Sequence, residues 1–89
     1  MKTIHKYDVQ VADQFKLELP RGATIMSVQV QREVPRMWVL VDKDEDRVEE
    51  RTFRVIGTGH PIDDEKDLMF VGTFQIHGGM LVFHLFEKR

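Results

Sequence analysis

Leu68-Met69-Phe70-Val71-Gly72-Thr73-Phe74-Gln75-Ile76-His77-Gly78-Gly79-Met80-Leu81-Val82-Phe83-His84-Leu85-Phe86-Glu87 is the stretch whose reading decides the fold. Two runs rich in β-branched and aromatic residues flank Gly78-Gly79, and a two-glycine connection suits a primed hairpin turn because both positions accept positive φ. Folding one run back on the other sets Ile76 against Leu81, Phe74 against Phe83 and Gly72 against Leu85 on one face. The opposite face pairs Gln75 with Val82, Thr73 with His84 and Val71 with Phe86. The first face is apolar and reads as core. The second is mixed polar and aromatic, which makes Val71, Thr73, Val82, His84 and Phe86 candidate binding residues.

The same two-residue rhythm extends upstream. His5, Tyr7, Val9 and Val11 share one parity, with Lys6, Asp8 and Gln10 between them; Phe15, Leu17 and Leu19 alternate with Lys16 and Glu18. The two apolar sets can share a face of one hairpin if a three- or five-residue loop centred on Asp13 joins them. Pro20-Arg21-Gly22 reads as a turn. Met26, Val28 and Val30 then face one way, and Ser27, Gln29 and Gln31 the other. Pro35 punctuates. Met37-Trp38-Val39-Leu40-Val41 is apolar on both parities and reads as a central strand covered on both faces. Asp42 to Arg47 is a charged connector. Val48 to Gly57 is a strand in which Arg51, on the core parity, breaks the pattern, so entry into the sheet is expected only at about Thr52. Residues 58–67 lack a period and read as an ordered surface loop. No helix-period segment, repeat or low-complexity run is present.

Seven amphipathic strands, joined mostly as neighbours, must each bury one face. The expected fold is therefore all-β, a single domain over residues 1–89 with about seven antiparallel strands in a small β-sandwich or a partly closed barrel. Composition agrees: 42% of residues are hydrophobic and 31% charged, an ordinary globular balance. Two strands apolar on both sides in so short a chain imply a cover for the second face, and a partner subunit, most simply in a homodimer, would supply one.

Charge and composition also exclude. Thirteen basic and 15 acidic residues leave a net charge of −2, neither the basic footprint that phosphate backbones select nor the large negative excess of a DNA mimic. No run approaches the length of a membrane span, and the residues after Met1 do not form a signal peptide. With no cysteines, disulfide scaffolds, thiolate metal sites and cysteine nucleophiles fall away, and a reducing cytoplasm is the expected setting.

Four histidines invite a metal reading, yet no metal-binding spacing is present, and His77 and His84 stand roughly 10–13 Å apart along the hairpin. No metal and no cofactor is expected. His60 lies between Gly59 and Pro61, with Asp63 and Asp64 following. That constellation could form an acid–base pair or a small-molecule or ion site; its plainer account is a turn that the aspartates solvate. As loops on a rigid sheet often carry function, His60, Asp63 and Asp64 join the candidate binding residues. Asp42-Lys43-Asp44-Glu45-Asp46 opens like a calcium loop but has Arg47 and Phe53 where glycine and an acid belong. Gly57-Thr58-Gly59 is too short to cradle phosphate. The single serine, Ser27, has no glycine elbow around it, so no enzyme is expected. Arg32, Arg36, Trp38, Arg51 and Arg54 come nearest to a single-strand nucleic-acid surface, but carboxylates are interspersed among them and nucleic acid is not the expected partner.

Several segments carry a resemblance: Met1-Lys2-Thr3-Ile4-His5-Lys6-Tyr7; Leu19-Pro20-Arg21-Gly22-Ala23 with Ser27-Val28-Gln29-Val30-Gln31; Thr52-Phe53-Arg54 with Gly57-Thr58-Gly59-His60-Pro61-Ile62; and Gly72-Thr73-Phe74-Gln75-Ile76-His77-Gly78-Gly79 running into Leu81-Val82-Phe83-His84. Together they resemble a group of small uncharacterised proteins of bacteriophages and prophages, over nearly the whole chain. The resemblance assigns no activity and no functional residues. It implies a bacterial cytoplasm during infection or lysogeny, and a protein partner there, such as a host defence component. The expectation from sequence is a non-enzymatic protein-binding β-domain.

Overall fold

Alternating apolar and polar residues build strands with one dry face each, and a computed structural model describing residues 1–89 shows seven of them. They are β1 (Lys2–Asp8), β2 (Gln14–Pro20), β3 (Thr24–Gln31), β4 (Val34–Asp42), β5 (Val48–Gly57), β6 (Leu68–Ile76) and β7 (Leu81–Lys88), with a single 3₁₀ turn at Glu65–Asp67 before β6. They form two antiparallel sheets packed face to face. The first has the order β1-β4-β3 and the second β2-β5-β7-β6. The fold is thus all-β and a sandwich; no closed barrel forms.

Inward residues of both sheets make one core. Val28, Met37, Val39 and Val41 come from the first sheet, and Phe15, Leu19, Phe53, Val55, Phe74, Ile76 and Leu85 from the second. Phe15 stacks on Phe53 with ring centroids 5.2 Å apart, each buried ring contributing about 1.5–3 kcal/mol. Val9 and Ala23, where the chain crosses between sheets, close the ends of this core.

The strand order corrects the sequence reading. β1 and β2 do not form a hairpin: β1 pairs with β4 and β2 with β5, and residues 9–13 step from one sheet to the other. A shared core satisfies both apolar sets without pairing them, so parity alone does not choose the neighbour. Only β3–β4 and β6–β7 are sequential hairpins. His5 and Val11, on the presumed core parity of the first strand, are exposed. Pro35 lies inside β4, beyond the last β1 partner, where its carbonyl accepts the Val9 N–H at 3.0 Å and its missing donor costs β1 nothing.

Two bulges shift parity. Between Ile25 and Ser27 the register of β3 slips, so Ile25 turns toward the core and Met26 stands outside, against the expected Met26–Val28–Val30 face. Between Phe70 and Gly72 the register of β6 slips as well. The pairs Ile76–Leu81, Gln75–Val82, Phe74–Phe83, Thr73–His84 and Gly72–Leu85 form as read from the sequence, but Phe86 pairs with Phe70, not with Val71. Gly78 and Gly79 take the expected positive φ, 66° and 89°, with the Met80 N–H bonded to the His77 carbonyl at 3.2 Å, but His77 at φ 54° joins them, so the connection between the strands is the four residues His77–Met80 and not two.

Arg51 also departs from expectation. β5 runs in the sheet from Val48, paired to β2 from Val48 to Arg54, and the Arg51 side chain lies between the sheets. Its Nε and Nη2 donate to the Glu87 carboxylate, the second at 3.0 Å, and its Nη1 donates to the Ala23 carbonyl at 2.8 Å. A charge is tolerated on the core parity because a buried carboxylate, on a residue only 6% exposed, meets it across the sheet. Those bonds hold the guanidinium proton more tightly than usual, against the opposing effect of burial.

Candidate functional site

The outward face of the four-stranded sheet, where most of the candidate residues lie, is shaped by topology. β5 and β6 both run antiparallel to β7 and flank it. Their connection, residues 58–67, has to travel back along β7, and the inner face is filled by core. It therefore crosses outside as a strap. Ile56 and Leu68, both buried yet outside the main core cluster, lie on the outward parity that the strap covers. The cover expected from a partner subunit is thus supplied in part by the chain itself.

His84 sits at the centre of this arrangement. Its Nε2 is 2.8 Å from the Thr58 hydroxyl on the strap, and its Nδ1 is 2.8 Å from the Thr73 hydroxyl on β6. The Thr58 hydroxyl is also 3.3 Å from the Val82 carbonyl. Both ring nitrogens therefore have a hydroxyl partner. The imidazole is a clasp between strap and sheet. Val82 and Phe86 beside it are half-buried, and Thr73 is exposed.

The His60 group is not drawn together. Asp64 is ion-paired with Arg54, whose Nε donates to the Asp13 carbonyl at 2.9 Å. That carboxylate therefore ties the strap to the sheet and to the 9–13 crossing. Asp63 is exposed. The ring of His60 lies against Gly57, where an added Cβ would meet it at 3.3 Å, and its backbone N–H closes a turn on the Gly57 carbonyl at 3.0 Å. A shallow cleft of about 390 Å³ runs beside it, lined by Asp13, Gln14, Arg54 and Pro61 among others. No three His, Asp or Glu side chains converge as metal ligands anywhere in the molecule.

Val71 occupies the bulge and packs half-buried against the core. Its displacement brings out a residue that parity reasoning passed over. Phe70 stands 63% exposed on the outward face, edge-on to Phe86 with ring centroids 5.5 Å apart. Met69 and Met26, 46% and 51% exposed, join Phe70 around a cleft of about 230 Å³ that reaches down to Arg51 and Glu87. A neighbouring, more polar cleft is walled by Glu49 and Glu50 together with Lys88 and Arg89. The available sequence signal was Gly72 among bulky residues, since a glycine inside a strand marks a bulge or a close backbone approach.

The chain belongs to the family described as a domain of unknown function, DUF7352, which matches it over residues 1–89. No curated protein and no solved structure matches it.

Proposed function

We propose that this member of a family of unknown function is a non-enzymatic, protein-binding β-domain that works as a homodimer, joined through the cluster of Phe70, Met69, Met26 and Phe86. The observation that carries the reading is Phe70: a phenylalanine 63% exposed on a strand, stacked edge-on to a second aromatic and flanked by two exposed methionines. Aromatic and methionine side chains are enriched in protein interfaces, and a contiguous apolar patch is costly to leave in water. The rim favours a second copy as the occupant. Glu49, already paired with Arg51 at 3.3 Å, and Glu50, 3.6 Å from Lys16, stand across one cleft from Lys88 and Arg89, so a two-fold arrangement can add the bases of one subunit to the acids of the other. An ordinary dimer buries roughly 800 Å² per partner, a small share of the 5977 Å² accessible surface.

The non-enzymatic part is supported by the commitments of the polar groups: both nitrogens of His84 are taken by threonines, Asp64 is taken by Arg54, and Ser27 lies on a strand outside the core. In the phage or prophage setting that the resemblance implies, the dimer acts in a bacterial cytoplasm on a host protein, such as a defence component. Light scattering at micromolar concentration tests the dimer. The wild-type chain is expected at twice the monomer mass, and Phe70→Ser, with unchanged circular dichroism, at the monomer mass. A monomeric wild type, or a Phe70→Ser variant that remains dimeric, overturns the reading.

A further inference from the structure

We infer that the outward face of the three-stranded sheet carries a phosphate-binding cleft formed by Lys6, Gln31, Arg32 and Arg36. These four residues line a cleft of about 270 Å³ with no acid among them. Register explains how they converge. Lys6 lies on β1 opposite Trp38, and Gln31 on β3 opposite Val34. The bond from Lys6 Nζ to Gln31 Oε1, 3.2 Å long, therefore spans the central strand at the level of Arg36. An ammonium and a guanidinium line one cleft, an arrangement whose repulsion a bound anion relieves.

The partners of Arg36 leave it with spare capacity. Its Nη1 donates to Asp8 at 2.7 Å, the one carboxylate at hand, while its Nε is buried without an acceptor. The third cation is placed by an unusual turn. Arg32 and Glu33 link β3 and β4 with φ of 53° and 67°, the left-handed region that asparagine and glycine fill far more readily in such turns. Glu33 is drawn away to the other hairpin, where its Oε2 accepts the His77 N–H at 3.0 Å. The acid of the turn is thus withdrawn and its neighbour Arg32 is left to the cleft. Three cations face one carboxylate, and the guanidinium forks match the tetrahedral oxygens of a phosphate.

What lies beside the cleft extends the inference. Two residues along β4 from Arg36, about 7 Å at strand spacing, is half-buried Trp38, with Ser27 and Lys6 as its cross-strand neighbours and Ile4 and Leu40 one pair further on. A phosphate held by Arg32 and Arg36 would leave an attached base within reach of the indole face, the combination that single strands use on sheet surfaces. The shared chemistry is phosphate; its sources are the free ion or the backbone of a single strand.

Two titrations test this with probes named in advance. Inorganic phosphate and pyrophosphate are added while the amide resonances of Gln31–Glu33 are followed by NMR. An oligothymidylate of about ten nucleotides is added while the fluorescence of Trp38, the one tryptophan, is recorded. The expected result is saturable movement of the turn amides, weakened at least tenfold in Arg32→Gln and in Lys6→Gln, both exposed positions whose melting temperature should stay unchanged. Quenching of Trp38 by the oligonucleotide, lost as salt is raised, identifies a strand as the source; movement of the turn amides with phosphate alone and no quenching identifies the free ion. Both outcomes support the cleft. No response to any of the three probes, or equal binding by both variants, overturns it.

Discussion

At the scale of single residues, the structure turns on positions where a side chain is missing or misplaced by pattern. Gly72 is the clearest. A Cβ built there would lie 2.7 Å from Cγ1 of Val28, because the edge strands β3 and β6 of the two sheets pass side by side. Gly72→Ala is expected to cost about 1–3 kcal/mol, measured by urea denaturation. Pairing it with Val28→Ala should return about 1 kcal/mol relative to the sum of the single changes; strict additivity would show that the contact does not matter. Arg51 and Glu87 form the other such position. Glu87→Ala should destabilise by about 3 kcal/mol because it leaves the part-buried guanidinium without its bidentate carboxylate and with only Glu49 and the Ala23 carbonyl as partners, whereas Arg51→Met with Glu87→Leu should lie within about 1 kcal/mol of wild type. Equal losses in the single and double variants would contradict this account of the pair.

At the scale of elements, alternation located strands well and their neighbours poorly. Val48–Gly57 is a strand as read from sequence, but it enters the sheet at Val48 and not at about Thr52, and the Gly78-Gly79 turn sets five of the six pairs expected around it. The sixth fails at Val71, because a bulge adds one residue and moves everything beyond it to the other face. For the same reason Phe70 stayed hidden, while Thr73, His84, Val82 and Phe86 could be placed on one surface. The strap was legible as a loop, but its covering of Ile56 and Leu68 follows from strand order, which no local pattern encodes. The β4–β5 connector offers a test of its own. The backbone N–H of Asp44 and then the Met1 amino group hold the Asp42 carboxyl below its usual range, and the side chain of Arg47 and then its N–H do the same for Glu45. A depressed folded pKa stabilises above the unfolded value near 4 and is lost as pH falls through the folded one. The melting temperature is expected to drop between about pH 5 and about pH 3, and to drop less in Asp42→Asn with Glu45→Gln. An identical drop in both proteins would place the acid sensitivity elsewhere.

For the whole molecule, two sheets with a common core leave two outward faces of different character. The three-stranded face gathers Lys6, Arg32 and Arg36 beside Trp38. The four-stranded face is partly closed by the strap and ends in Phe70, which meets Met69 and, from edge strand β3 of the other sheet, Met26, above a buried ion pair. A net charge of −2 describes neither face, which is why composition spoke against phosphate recognition while the arrangement favours a local site. The dimer proposed through Phe70 uses the end of the four-stranded face that the strap leaves open, together with Met26 on the edge strand β3 beside it. Isotope-filtered nuclear Overhauser spectroscopy on an equal mixture of labelled and unlabelled chains tests this most directly. Contacts between the Phe70 ring of one subunit and the Met26 and Met69 methyl groups of the other are predicted; intermolecular contacts centred on Trp38, or none at concentrations well above micromolar, would contradict it.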